Sequence, residues 1–221
     1  MISPVDLMKR LGTGGRLVPF FKCVCVYFAA LGAGSGDPSP TVVAAKCAPI
    51  VCLLLVVVLH QSSLPYQNGW YARRVAAGLA LSALGDALLV WPQHFVAGMA
   101  AFAVAHFAYI AAFGWDKLSP IVGSALYAAT GFYLTQISPP DGLKILVPCY
   151  SILLATMAWR GLTRSRAAAV GVVLFLISDA ILGYSLFGGS VKYKLVLVMS
   201  TYYLGQLGIA LSSLEPVEPR L

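Results

Sequence analysis

Long runs of apolar residues alternate with short clusters of Gly, Pro, Ser, Asn and charge along nearly the whole chain. Eight of these runs have the length and uniform apolarity of membrane-crossing helices, at roughly 18–33, 42–60, 72–91, 94–114, 118–137, 143–160, 167–187 and 193–213. The segments between them carry helix breakers: "GAGSGDPSP", "SSLPYQNG", "WPQH", "WDKLSP", "SPPDG", "RGLTRSR" and "FGGSVK". All four tryptophans (Trp70, Trp91, Trp115, Trp159) fall at predicted span ends, where an aromatic belt meets the interface. The pattern predicts an all-α polytopic membrane protein with eight transmembrane helices. A polar segment through residue 17 precedes them, and a short tail, "EPVEPRL", follows from residue 214.

Composition agrees with this reading and narrows the function classes. Of 221 residues, 59% are hydrophobic and 10% charged, and the mean hydropathy is +0.83. A soluble domain of this size needs far more charge to cover its surface. The net charge of +7 therefore belongs to loops facing anionic lipid. No basic patch with interleaved aromatics suggests a nucleic-acid partner. Basic residues divide unevenly between the two ends of the predicted bundle. The termini and the loops after spans two, four and six hold Lys9, Arg10, Arg16, Arg73, Arg74, Lys117, Arg160, Arg164, Arg166 and Arg220; the opposite loops hold Lys144, Lys192 and Lys194. This asymmetry predicts that both termini are cytosolic. Lys22 and Pro19 interrupt the first run, which reads as a retained span rather than a cleaved signal peptide. The five cysteines (Cys23, Cys25, Cys47, Cys52, Cys149) lie in apolar segments without CxxC spacing and read as small packing residues.

One internal repeat stands out. "RRVAAGLALSALGDALL", from Arg73 to Leu89, lies over "RAAAVGVVLFLISDAIL", from Arg166 to Leu182, at a constant offset of 93. Arg73 meets Arg166, Gly78 meets Gly171 and Asp86 meets Asp179. Four spans separate the two segments, so both helices run in the same direction, as in a parallel four-plus-four repeat. Each aspartate lies about 20 Å beyond its aligned arginine, which puts both carboxylates at matching depth, past the midplane toward the non-cytosolic side. The other acids, Asp6, Asp37, Asp116, Asp141, Glu215 and Glu218, all fall in loops or tails.

A carboxylate inside a span costs several kcal/mol unless paired or hydrated, so it points first to function. The structural alternative is an interhelical hydrogen bond, which a depth-matched pair makes less attractive. If the two approach one another, mutual repulsion leaves one protonated and one ionised near neutrality. A proton donor beside a proton acceptor is the equipment of acid–base hydrolysis. Asp179, after the bulky "VVLFLIS", is the expected acid; Asp86, beside Ser82 and Gly85, is the expected base.

Other polar residues within spans could complete a substrate site. His106 and Tyr109 share a face of span four at i, i+3. Tyr202 and Gln206 share one of span eight at i, i+4, with Tyr203 beside them. Each is equally explained by hydrogen bonds that hold the bundle together. Lys46, near the non-cytosolic end of span two, could reach an aspartate or a substrate phosphate, or snorkel to the interface. There is no GxSxG elbow, no HExxH and no histidine or cysteine cluster at metal spacing, so a metal site is not expected. "LGTGG" lacks the Lys-Ser/Thr of a phosphate loop.

Taken in order, "LVPFFKCVCVYF", "KCAPIVCLL", "LGDALLVW", "FVAGMAAFAVAHFAYIAAFGW", "LISDAIL" and "VMSTYYLGQLGIALSS" resemble the lysoplasmalogenase (YhhN-like) family in its vertebrate-type branch, from about residue 17 to 214. The resemblance implies an eight-span enzyme of the endoplasmic reticulum membrane. It would hydrolyse the vinyl ether bond of lysoplasmalogens to a fatty aldehyde and glycerophospho-ethanolamine or -choline. The partners implied are a lysophospholipid, water and membrane lipid, with no cofactor and self-association left open. The family's two intramembrane aspartates would correspond to Asp86 and Asp179. Two rivals remain at this stage. An intramembrane aspartyl protease also uses two aspartates, but its Tyr-Asp and Gly-x-Gly-Asp contexts are absent. A proton-coupled transporter also suits midplane carboxylates in parallel repeats, but no span has a Gly/Pro-broken centre in matching halves.

Overall fold

The structure, a computed structural model, describes residues 13–31, 37–61, 66–115 and 118–215. Among these residues the regular structure is helical throughout. Eight α-helices follow in order: α1 (Thr13–Leu31), α2 (Pro40–Gln61), α3 (Tyr66–Leu88), α4 (Phe95–Phe113), α5 (Pro120–Leu134), α6 (Leu146–Leu162), α7 (Arg166–Phe187) and α8 (Lys194–Ser212). Short 3-10 turns, Pro92–His94 and Asp141–Leu143, precede α4 and lie before α6. The boundaries follow local chemistry. Pro40 and Pro120 open α2 and α5, where the missing N–H costs nothing. The Ser39 hydroxyl accepts from Val42 N at 3.3 Å, and that of Ser165 from Ala168 N at 3.3 Å, each as an N-cap. Gly114, at φ 74°, ends α4.

Among the described residues, five helical segments, Pro40–His60, Pro92–Phe113, Asp141–Leu162, Arg166–Phe187 and Lys194–Ser212, are long and apolar enough to cross a membrane. The chain is a multi-pass membrane protein. Its exterior is correspondingly apolar: Val26 is 60% exposed, Phe107 60%, Phe132 70% and Val170 60%. In water such a surface would drive aggregation; in lipid it is the solvated face.

Sequential helices pack side by side except α4 and α5, and three further pairings, α2 with α8, α3 with α8 and α4 with α6, close the bundle. α3 lies against α2 and α4, α7 against α6 and α8, and α1 and α5 flank α2 and α6 respectively. Small residues allow the closest crossings. A Cβ on Gly171 would stand 2.6 Å from Ile209 N and 2.8 Å from Gly205 O, so α7 and α8 touch backbone to backbone. Gly85 and Gly98 do the same for α3 and α4, each within 3.3 Å of the other's carbonyl oxygen by the same measure. At the end of the bundle where α4 finishes, Arg74 from α3 donates to Ala111 O at 2.5 Å and Arg160 from α6 donates to Gly114 O at 2.7 Å. Two guanidinium groups thereby satisfy the exposed carbonyls of one helix end. Arg160 also lies over the rings of Trp115 and Trp159, and Arg164 over that of Tyr71.

Candidate active site

At the opposite end, where α3 and α7 finish, the helices part around a cavity of about 340 Å³. Its wall is mostly apolar, drawn from α3 to α8 with Lys46 from α2, and it includes Asp86, Asp179, Tyr150 and Tyr202. The two aspartates aligned by the 93-residue offset thus line one space. They are also the carboxylates carried on α-helices among the described residues.

Their settings differ. Asp86 is 2% exposed and has a partner on each oxygen. Lys46 Nζ lies 3.3 Å from Oδ1, and the Tyr202 hydroxyl donates to Oδ2 at 2.6 Å. Lys46 also donates to the Asp86 carbonyl at 3.4 Å. A buried ion pair of this kind survives only when hydrogen bonds satisfy the remaining valences, which Tyr202 does here. Behind Tyr202 the donors continue in series: Tyr109 OH donates to Gln206 Oε1 at 2.7 Å, and Gln206 Nε2 donates to Tyr202 OH at 3.4 Å. Every donor in this chain points toward the Asp86 carboxylate, a polarised arrangement that strengthens its last bond. Tyr203 fixes the cation's backbone by donating to Lys46 O at 2.9 Å.

Asp179 sits on α7 with a hydroxyl beside it and, among the described residues, no cation paired to it. Tyr150 OH donates to Oδ2 at 2.6 Å, which leaves Oδ1 for a proton or a substrate atom. Ser178, one residue earlier, donates to Val198 O at 2.9 Å and pins this stretch of α7 to α8. Aromatic rings pack around Tyr202: Phe175 meets it edge-on at 5.5 Å and in turn meets Phe102 at 6.2 Å.

The polar residues proposed from sequence divide into two groups, with His106 apart from both. Lys46, Asp86, Asp179 and Tyr202 line the cavity. Tyr109, Gln206 and Tyr203 stand behind the wall, Tyr109 bonded to Gln206, Gln206 to Tyr202 and Tyr203 to the Lys46 carbonyl. His106 is fully buried, with both ring nitrogens unpartnered. Its ring packs edge-on against Tyr150 at 5.2 Å and Phe175 at 5.3 Å. Lys46 reaches an aspartate rather than snorkelling outward, and Tyr202 pairs with Asp86. Sequence reasoning passed over Tyr150. Its place in the first turns of α6, at the same end of the bundle as the last turns of α7, was the available signal. The cysteines pack as expected: Cys47 donates to Ala83 O at 3.3 Å, and Cys23 and Cys52 lie with their sulfurs 3.7 Å apart. Among the described residues no group of His, Cys, Asp or Glu is arranged to hold a metal ion.

An apolar cavity with two unlike carboxyls can bring an acid and a base to an uncharged, lipid-soluble bond. Comparison with known proteins places the chain in a family. Residues 41–213 match the YhhN family. The chain is similar to human lysoplasmalogenase TMEM86A, 37% identical over 99% of this chain and 96% of that protein. It is similar to pig (Sus scrofa) lysoplasmalogenase TMEM86B, 40% identical over 92% of this chain and 88% of that protein. A lysoplasmalogenase of Mycobacterium bovis is 28% identical, over 83% of this chain and 77% of its own length. No solved structure matches the chain. With the family match running from α2 to the end of α8, and relatives alike over nearly their whole length, the chain belongs to the YhhN family.

Proposed function

We propose that this chain is a lysoplasmalogenase, which hydrolyses the vinyl ether bond of lysoplasmalogens to a fatty aldehyde and a glycerophospho-ethanolamine or -choline. The name carried by its relatives supports the substrate. The observation that carries the mechanism is that two carboxyls of unlike environment line one apolar cavity. Asp86, in an ion pair with Lys46 and bonded by Tyr202, is the ionised member. Asp179, held by Tyr150 through one oxygen, is the proton donor.

Asp179 gives its proton to the alkene carbon of the vinyl ether, and positive charge develops on the ether carbon and oxygen as an oxocarbenium ion. Asp86 stabilises that charge, as the ionised carboxylate does in glycoside hydrolysis. Water adds to the ether carbon and passes one proton to Asp86. Asp179 then takes the hydroxyl proton of the hemiacetal, Asp86 protonates the departing glycerol oxygen, and both carboxyls return to their starting states.

The same reading extends to the whole chain. All eight helices span the bilayer, both termini face the cytosol, and the two halves form a parallel repeat in the endoplasmic reticulum membrane. The repeat is supported by the packing, since the pairs α1–α2, α2–α3, α3–α4 and α2–α8 have the counterparts α5–α6, α6–α7, α7–α8 and α6–α4.

The test is aldehyde release by purified protein from a lysoplasmalogen, set against an ester-linked lysophospholipid. Aldehyde is expected from the vinyl ether and no fatty acid from the ester. Asp86→Asn and Asp179→Asn are each expected to lose about 10²–10⁴-fold. An active double variant would overturn the paired-carboxyl mechanism.

A further inference from the structure

α5 is the least enclosed helix of the bundle. Gly123 is its one buried residue, and Ile121 and Phe132 are 83% and 70% exposed. Its firm attachment is to α6: the Trp159 ring packs on Gly123, Trp159 Nε1 donates to Ser119 O at 2.9 Å, and Tyr127 OH meets Thr156 Oγ1 at 2.9 Å. Toward α7 it is fastened near one end. Tyr133 OH donates to Ala180 O at 3.0 Å, fitting over Gly183, where a Cβ would stand 2.5 Å from that hydroxyl. Just beyond α5, Ser138 N donates to Phe187 O at 2.9 Å.

Three residues of the cavity wall are themselves exposed on the molecular surface: Ala129 on α5, and Ile177 and Leu186 on α7. Leu186 lies at the end of the bundle, next to Phe187, whose ring packs edge-on against Phe95 at 6.4 Å. Ala129 and Ile177 instead face each other's helix across the side of the bundle, and Ile177 belongs to the lipid-facing stripe Val170, Val173, Ile177 and Tyr184. The gap offers no unsatisfied polar group. Thr130 Oγ1 donates back to Leu126 O at 2.8 Å, and the Tyr133 hydroxyl is taken by Ala180. Its rim of Leu126, Ala129, Ile177 and Ala180 suits hydrocarbon and repels a headgroup.

We infer that the gap between α5 and α7 is a lateral portal, latched by Tyr133, through which the single hydrocarbon chain of a lysolipid passes from the bilayer into the cavity holding Asp86 and Asp179. The inference rests on the proposed lipid substrate. The occupant is fixed by continuity: the gap opens to membrane hydrocarbon on one side and to the two carboxyls on the other, and is apolar between. A lipid using it slides in sideways without withdrawing its chain into water, which would cost about 0.8 kcal/mol per methylene.

Two measurements test the portal. In the first, Ala129→Trp and Ile177→Trp fill the gap, and Ile177→Ala widens it. Turnover of a long-chain lysoplasmalogen in vesicles is compared with that of a water-soluble alkenyl ether of three or four carbons, small enough to pass a narrowed gap. The long-to-short ratio is expected to fall at least 10-fold in each tryptophan variant and not in Ile177→Ala. Equal loss on both substrates, or no loss on either, overturns the portal. The second measurement needs no catalysis. A single-chain phosphocholine with a photoreactive diazirine at its chain terminus, irradiated with the wild-type protein in vesicles, is expected to label residues 126–133 and 177–183, and Ile177→Trp to reduce that labelling at least fivefold. Labelling elsewhere, unaffected by Ile177→Trp, overturns the portal. Labelling as expected in a protein that releases no aldehyde overturns the proposed reaction and leaves the portal standing.

Discussion

At the scale of single residues, the site depends on how each buried charge and hydroxyl is satisfied. Lys46 and Asp86 have side chains 16% and 3% exposed, so truncating one strands the other in a low-dielectric wall. Breaking such a pair costs about 3 kcal/mol or more, whereas removing both charges together costs far less. Lys46→Met is therefore expected to lower the thermal stability of the protein in detergent markedly, and Lys46→Met combined with Asp86→Asn to recover most of it. A double variant no more stable than Lys46→Met would show that the pair is not the source of the loss. Tyr150 supplies the matching case at Asp179. Tyr150→Phe keeps the ring that packs on His106 and deletes the 2.6 Å bond. It should cost about 1–3 kcal/mol of transition-state stabilisation, read as a 10- to 100-fold fall in kcat, with little change in stability. Tyr150 was hard to find from sequence because a lone tyrosine in "LVPCYSILL" has no periodic partner. The aspartates were legible because charge is rare in such a chain and theirs recurs at a fixed offset.

Between elements, glycine placement decides how closely helices approach, and helix contacts set the distance between carboxyls and their hydroxyl partners. Gly171, Gly205 and Gly208 form one face of contact between α7 and α8. Each would set a Cβ within 3 Å of the partner's backbone atoms, which have no side-chain freedom to yield. Gly171→Ala is expected to force the two helices apart and to destabilise the protein by about 1–3 kcal/mol. Because α7 carries Asp179 and α8 carries Tyr202, activity should fall with it. Gly131 on α5 has nothing within 4 Å of a Cβ, and Gly131→Ala should be neutral or stabilising by up to about 1 kcal/mol. Thermal denaturation of the two variants in the same detergent checks the contrast; equal effects would show that the crossing has room to relax. Helix number and order were readable from the alternation of apolar runs and breakers, and most ends fell within a turn. The starts of α1, at Thr13 against an expected 18, and of α3 were the exceptions. α3 begins at Tyr66, about a turn and a half ahead of its predicted start, because "YQNGWYARR" is too polar to register as a span yet continues the helix toward the aromatic and arginine cluster. Which helices meet across the bundle was not readable, since every face of an apolar helix reads alike in sequence.

For the whole molecule, polarity along the membrane normal is the organising feature, and it has a structural basis beyond counting charges. Arg74 and Arg160 close the end of α4, and Arg164 lies over Tyr71. Trp70, Trp115 and Trp159 gather around the same guanidinium groups. This end of the bundle is a cationic, aromatic collar, while the cavity and both carboxyls lie toward the other. Moving the collar across a membrane would mean transferring several arginines at once, each at a cost of a few kcal/mol, so the collar is expected to stay on the side of synthesis. The loop between α4 and α5 should then face the cytosol, and that between α7 and α8 the opposite compartment. Leu118 in the first loop is 56% exposed, and Ser190 in the second is also exposed, so a cysteine at either reports its side. In sealed microsomes with the cytosolic face outward, Leu118→Cys should react with a membrane-impermeant maleimide directly, and Ser190→Cys only after permeabilisation. Both variants are made with Cys25 and Cys149, the exposed native cysteines, replaced by alanine, so that the introduced thiol alone reports. The reverse pattern would place the collar outside the cytosol. The expected pattern puts the two carboxyls nearer the non-cytosolic leaflet, and so makes that leaflet the source of the lipid chain that reaches them.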